Sequence, residues 1–244
     1  MKKTILLFSL ITVLFGCKKE CFSDGGTIIS REISTESFNK ILVGNEISLI
    51  LKQGNTQKIV VETGDELIDN INIEVINNQL TLEDTNTCNI VRDYALTKVY
   101  VTAPDITTIR SNTTRLIKSD GILNYPNLTL LSEDYNNDYL NIGDFDLNIN
   151  CDTFRVTANG NSVFNIKGTC NTAIVGFYGS SPRFNGNNFI SQKVSVIQKS
   201  TNDILIKPQD ELSGTIYTTG NVISYNHPAT VNLNELYTGH LIYY

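Results

Sequence analysis

Tryptophan is missing from this 244-residue chain, methionine occurs once, histidine twice and proline five times. The two histidines, His227 and His240, lie near the C-terminus, and there is no Gly-x-Ser-x-Gly turn to supply a nucleophile beside them. Both therefore read as surface or capping residues. Basic residues are scarce too. Nineteen Lys and Arg face 25 Asp and Glu, for a net charge of -6 and a pI near 5.0. No basic cluster appears beyond the N-terminus, whereas a nucleic-acid binder carries a basic patch or stripe, so that class of partner is excluded. Charged residues make up only 18% and hydrophobic residues 41%, with a mean hydropathy of -0.09. This balance excludes a disordered chain and a multi-span membrane protein. Helical periodicity is also lacking. Asparagine, by contrast, is abundant, with 29 residues. It tolerates left-handed backbone and bonds its own turn, so this excess predicts many tight turns.

The one long apolar run is at the start. "MKK" is a basic leader and "TILLFSLITVLF" an apolar segment too short to span a bilayer comfortably. Leu14-Phe15-Gly16-Cys17 follows and resembles a bacterial lipobox, with bulky Phe15 where a small residue is usual. The resemblance implies a signal peptide over 1–16, with Cys17 the lipidated mature N-terminus and the point of membrane attachment. Several acyl chains hold far better than one, since each buried CH2 adds roughly 0.8 kcal/mol. Cleavage would remove Lys2 and Lys3 and move the charge from -6 to -8. Residues 17–30 read as a solvated tether and residues 31–244 as the folded body. Export permits disulfides. Cys21, Cys88, Cys151 and Cys170 remain after Cys17, and their spacing is not that of a zinc site.

Apolar and polar residues alternate with the period of strands from residue 38 onward. Ile41 and Val43, then Ile47, Leu49 and Leu51, then Ile59 and Val61 mark the first strands, and "GDELIDN" one short helical turn. In "INNQL", Asn77-Asn78 between apolar runs predicts a primed hairpin turn. After residue 110 the chain becomes periodic. Related turn-then-strand units start at 111, 132, 157, 177, 198 and 217, at spacings of 21, 25, 20, 21 and 19. A period near 20 built from strands predicts an all-β fold: a right-handed parallel β-helix or β-solenoid with some antiparallel hairpin character near its N-terminus. Cys151 and Cys170 are 19 apart, as are Gly160 and Gly179. Stacked strands lie about 4.8 Å apart, within disulfide reach. The spacing thus predicts that Cys151 and Cys170 are neighbours, as a disulfide or as stacked thiols. Elimination leaves Cys21 and Cys88 as the other pair.

Phe38, Ile41, Val43, Leu51-Lys52-Gln53-Gly54, Val61, Gly64 and Tyr100-Val101-Thr102-Ala103-Pro104 resemble the opening pattern of the GIN-domain family, the auto-transporter adhesin head domains. The resemblance runs over roughly 30 to 240. It implies a right-handed parallel β-helix-like fold and a cell-envelope lipoprotein. The chain departs from the family's Gly-Ser-Gly turns at "SNTTRLI" and "KSTNDIL".

Two sets of residues offer chemistry. Glu133, Asp134, Asp138, Asp144 and Asp146 crowd the longest repeat, where hard oxygen ligands would suit calcium, although Asp and Asn also serve simply as turn caps. Tyr94, Tyr125, Tyr135, Tyr139, Tyr178, Tyr217 and Tyr225 lie in or beside loops, where they would either stack on a glycan or pack the corners. No resident metal, cofactor or catalytic set is implied. The favoured expectation is a lipid-anchored envelope protein, in the outer membrane, acting as a binding or scaffold module toward a surface glycan or protein. The competing expectations are a polyuronate-cleaving enzyme on a β-helix and a structural protein that assembles through its open end, where "LYTGHLIYY" would cap the stack or pair with another copy.

Overall fold

The computed structural model describes residues 24–86, 96–135 and 139–244. The strands are β1 (Ile28–Ile33), β2 (Lys40–Val43), β3 (Ser48–Gln53), β4 (Lys58–Gly64), β5 (Ile71–Ile76), β6 (Gln79–Asp84), β7 (Lys98–Ala103), β8 (Thr108–Ser111) and β9 (Ile117–Leu123). They continue as β10 (Asn127–Ser132), β11 (Phe145–Ala158), β12 (Val163–Phe177), β13 (Arg183–Gln198), β14 (Ile204–Ile216), β15 (Val222–Ser224), β16 (Thr230–Glu235) and β17 (Leu241–Tyr243). The only helical element among the described residues is one 3-10 turn, Ile68–Asn70, within "GDELIDN". The expectation of an all-β chain holds. All 17 strands belong to one sheet, which curls nearly closed around a single apolar core.

Pairing within that sheet is mixed. β1–β4, β4–β7 and β5–β6 are antiparallel, and the other ladders are parallel. The β5–β6 hairpin turns at Asn77 and Asn78, with φ of 52° and 62°, the left-handed pair a primed turn needs. The regular repeat does not extend to the N-terminal third. There β2 inserts between β6 and β8, and β3 between β7 and β9. From β11 on, each long strand pairs with the next at offsets near 20: Phe145 with Phe164, then Phe164 with Phe184. Parallel strands need a long return path. Here that path is sheet as well, because β11 to β14 run 14, 15, 16 and 13 residues, long enough for β11 to pair with both β9 and β10 on one side and for β14 to pair with both β15 and β16. β1 starts at Ile28, so the sheet takes in the last residues of the stretch read as a tether.

Alternation decides what faces the core. One inward row runs across the sheet through Val61, Val99, Leu49, Ile117, Phe145, Phe164, Phe184, Ile204 and Val222, each at most 1% exposed. Phe145 and Phe164 stack with centroids 4.9 Å apart. Burying one such side chain is worth roughly 1.5–3 kcal/mol, so this row pins the register. A slip of one residue would turn every member outward.

A candidate ligand face on the outer side of the sheet

Because the inner register is fixed, the residue after each inward one is fixed too, and it points to the opposite face. The outer row so produced is Tyr100, Ile50, Lys118, Asp146, Asn165, Asn185, Leu205 and Ile223, extended at its ends by their pairing partners Val60, which precedes Val61 on antiparallel β4, and Ile242. Its step is one strand spacing, about 4.8 Å. The centre of the row is polar and its flanks are apolar.

Two recesses open on this row. The larger, about 550 Å³, lies over β3, β7 and β9, with Ile50 as its floor and Tyr100, Leu116, Lys98, Lys118 and Asp120 around it. Ile50 points outward yet is only 7% exposed. Lys98 Nζ donates to Glu62 Oε1 at 2.9 Å, a bond that, with the carboxylate's charge, holds the ammonium above its ordinary pKa. Tyr100 Oη reaches the same carboxylate at 3.4 Å. Lys52 pairs with Asp120 at 3.2 Å. Lys118 has no ion-pair partner within 4 Å among the described residues. The smaller recess, about 150 Å³, includes Asp146, Asn165, Lys167 and Asn185. Arg183 Nε donates to Asn185 Oδ1 at 2.8 Å, and Asn185 Nδ2 donates to Asn165 Oδ1 at 2.7 Å. This relay fixes both amides and leaves Asn165 Nδ2 and the Asp146 carboxylate directed to solvent, without a protein partner among the described residues. The face can therefore donate, accept and stack.

Among the described residues, the acidic side chains singled out in the sequence do not converge. Glu133 is buried and pairs with Arg110 at 2.6 Å. Asp134 accepts from Asn159 Nδ2 at 2.7 Å, and Asp144 accepts from the Val163 amide at 2.8 Å, so both act as turn caps. Asp146 stands in the outer row, and Asp138 lies outside the described residues. No group of three or more His, Cys, Asp or Glu that could hold a metal occurs among the described residues.

The tyrosines also divide. Tyr125 is fully buried, not loop-exposed, and its hydroxyl donates to the Ala103 carbonyl at 3.2 Å. Tyr135 and Tyr178 meet edge to face at 6.2 Å and remain exposed. Tyr139 covers Arg110 and Tyr217 covers Lys199. Tyr225 packs on Tyr244, and His227 stacks on Tyr243 at 4.2 Å. His240 Nδ1 lies 2.8 Å from Glu235. Tyr94 lies outside the described residues, as do Cys17, Cys21 and Cys88.

Cys151 and Cys170 are direct pairing partners on β11 and β12, and both thiols are free. The neighbouring Cys170, and then burial, push the Cys151 thiol up, while Cys151 beside it holds the Cys170 thiol below its ordinary pKa. Cys170 also contacts Ser191 Oγ at 3.3 Å.

The sequence reading named none of Tyr100, Ile50, Lys118, Asn165 and Asn185 as a site candidate, Tyr100 entering only through the family pattern. The signal was present in the recurring pairs Leu49-Ile50, Ile117-Lys118, Phe145-Asp146, Phe164-Asn165 and Phe184-Asn185, but spatial adjacency of the second members required the register.

Fold and face together define an all-β domain built on one curled sheet with a polar row across its outer surface. The chain belongs to the family described as "Putative auto-transporter adhesin, head GIN domain", whose model matches residues 37–228. Its fold is similar to that of a "putative adhesin" from Bacteroides fragilis, with a TM-score of 0.79, 18% identity, and 89% of this chain and 97% of that one covered. It is also similar to a "putative adhesin" from Parabacteroides distasonis (TM-score 0.63, 16% identity, 91% and 98% covered). A "Putative lipid binding protein" from the same species shares the fold as well (TM-score 0.63, 13% identity, 90% and 97% covered). No curated protein matches this chain. Among the described residues no helix is long and apolar enough to cross a membrane.

Proposed function

We propose that this chain is an exported, lipid-anchored adhesin-like binding module, with its ligand face on the outer row Tyr100–Ile50–Lys118–Asp146–Asn165–Asn185, directed toward a surface glycan or protein. In this reading residues 1–16 are a signal peptide, Cys17 carries the lipid in the outer membrane, and the following residues tether the body. In the same reading the body is a right-handed β-helix, which the parallel pairing of consecutive long strands from β11 onward supports. The observation that carries the proposal is the outer row: aromatic, cationic and amide groups set one strand apart along a surface the core holds rigid. The family's adhesin description favours binding over turnover. So does the dispersal of the acidic residues, since cleaving a polyuronate needs convergent acid and base groups. The lipid-binding description of one neighbour fits the row less well, because its centre is polar.

The test is a screen of surface glycans and envelope proteins against the purified chain, repeated with Tyr100→Ala and Asn165→Ala. Both variants should lose binding while keeping the β-sheet circular dichroism of the parent. Undiminished binding by both would remove this face from the proposal.

A second reading, assembly through the C-terminal end, is favoured by one observation. Leu236 and Tyr237 are each 63% exposed and Tyr244 is 87% exposed beside the edge strands β16 and β17, and unpaired edges are templates for association. Light scattering decides it: a monomer across the accessible concentration range dismisses assembly.

A further inference from the structure

We infer that the larger recess receives an acidic sugar unit, its ring seated on Ile50 and Tyr100 and its carboxylate on Lys118. This deepens, and rests on, the reading of the outer row as a ligand face. Three observations converge. Ile50 is an outward apolar residue at 7% exposure, with the Tyr100 ring at its side. That is a platform for the apolar face of a ring, and the space of about 550 Å³ is in the range of small-ligand sites. Two of the three lysines nearby are matched, Lys98 by Glu62 and Lys52 by Asp120. The third, Lys118, makes no ion pair within 4 Å among the described residues, with Asp146 its pairing partner in the row, so the recess offers one ammonium that no carboxylate holds in contact. The row then continues into Asp146 and Asn165, which keep a carboxylate and an amide donor for hydroxyl groups one strand away.

Charge and shape select among anions. A phosphate dianion is ordinarily met by several donors, guanidinium forks or backbone amides, and here one ammonium stands alone. A lipid needs a continuous apolar channel, but the positions after Ile50 in the row are Lys118, Asp146 and Asn165. A carboxylate on a hydroxylated ring matches both the single charge and the polar continuation.

The experiment is calorimetric titration of the full chain in detergent with oligogalacturonate, its methyl ester and inorganic phosphate, for the parent and for Lys118→Gln, Lys118→Arg and the distant control Lys40→Gln. The acid should bind about tenfold more tightly than the ester, which is the factor one charge-assisted contact supplies. Lys118→Gln should erase that preference, whereas Lys118→Arg and Lys40→Gln should keep it. The preference should shrink as salt is raised. Lys118 is exposed, so its loss leaves folding intact. Equal binding of acid and ester overturns the inference and leaves the ligand face standing, as does an unchanged preference in Lys118→Gln. Phosphate competing as well as the oligouronate reduces the recess to a charge sink and also overturns it. Binding of neither saccharide removes this inference and the glycan reading together.

Discussion

At the scale of single residues, the structure separates groups that look alike in sequence. Tyr125 is one tyrosine among eleven, yet burial and then the charge of Asp105 push its phenol well above its ordinary value of 10.0. The unfolded chain loses that proton near pH 10 while the folded chain keeps it, so the stabilisation is complete below pH 10 and is lost as pH rises above it. Urea unfolding followed from pH 8 to 11 should show stability falling above pH 10, with a shallower fall in Tyr125→Phe. At neutral pH that variant should lose about 1 kcal/mol with its hydrogen bond. The cysteines make a second case at this scale. Cys151 and Cys170 are stacked thiols in direct register, so a mild oxidant should join them, and non-reducing peptide mapping should recover one linked peptide. Closing a loop of this length raises stability by up to about 3 kcal/mol, read as a rise in the denaturant midpoint. Both residues mapping to other partners would discard the pairing.

At the scale of elements, the segment Thr157 to Gly168 shows how turn and strand cooperate. Phe164 fills the core between Phe145 and Phe184, with no exposed surface. Phe164→Ala should cost about 3–5 kcal/mol, measured by equilibrium unfolding. Gly168 has φ of 113°, and a Cβ there would meet the Ile149 carbonyl oxygen at 2.1 Å. That contact is backbone and cannot swing away, so Gly168→Ala should destabilise the chain by more than the few tenths expected of an ordinary surface change. The period of about 20 was legible from such segments because each one repeats a turn, an inward apolar residue and an outward polar one. The N-terminal third was not legible in the same way. β2 pairs with β6 and β8, strands 39 and 68 residues later by the partners of Lys40, and alternation says which face a strand shows but not which strand it joins.

For the whole molecule, a nearly closed sheet with unpaired ends should not be uniformly stable. β11 to β13 are the longest strands and are paired on both sides, whereas β16 and β17 are edges with mostly exposed residues. Amide hydrogen exchange should be slowest in β11–β13 and fastest in β16 and β17, because local opening costs least where few apolar contacts and one ladder must break. Uniform protection from end to end would show instead that the ends are covered in solution.

The sequence by itself determined the all-β character, the hairpin at Asn77-Asn78, the repeat, the adjacency of positions 19 apart from β11 to β12, and the family. All of these follow from local alternation, turn chemistry and spacing, which are properties of neighbouring residues along the chain. Only the tertiary structure decided that Lys118 stands alone between matched lysines, that Glu133 is spent on Arg110, that Tyr125 is core, and that Tyr100 and Asn165 belong to one surface row. These depend on which strands lie side by side and where each side chain finds its partner. Such choices are settled by the packing of one continuous core, which no short window of sequence contains.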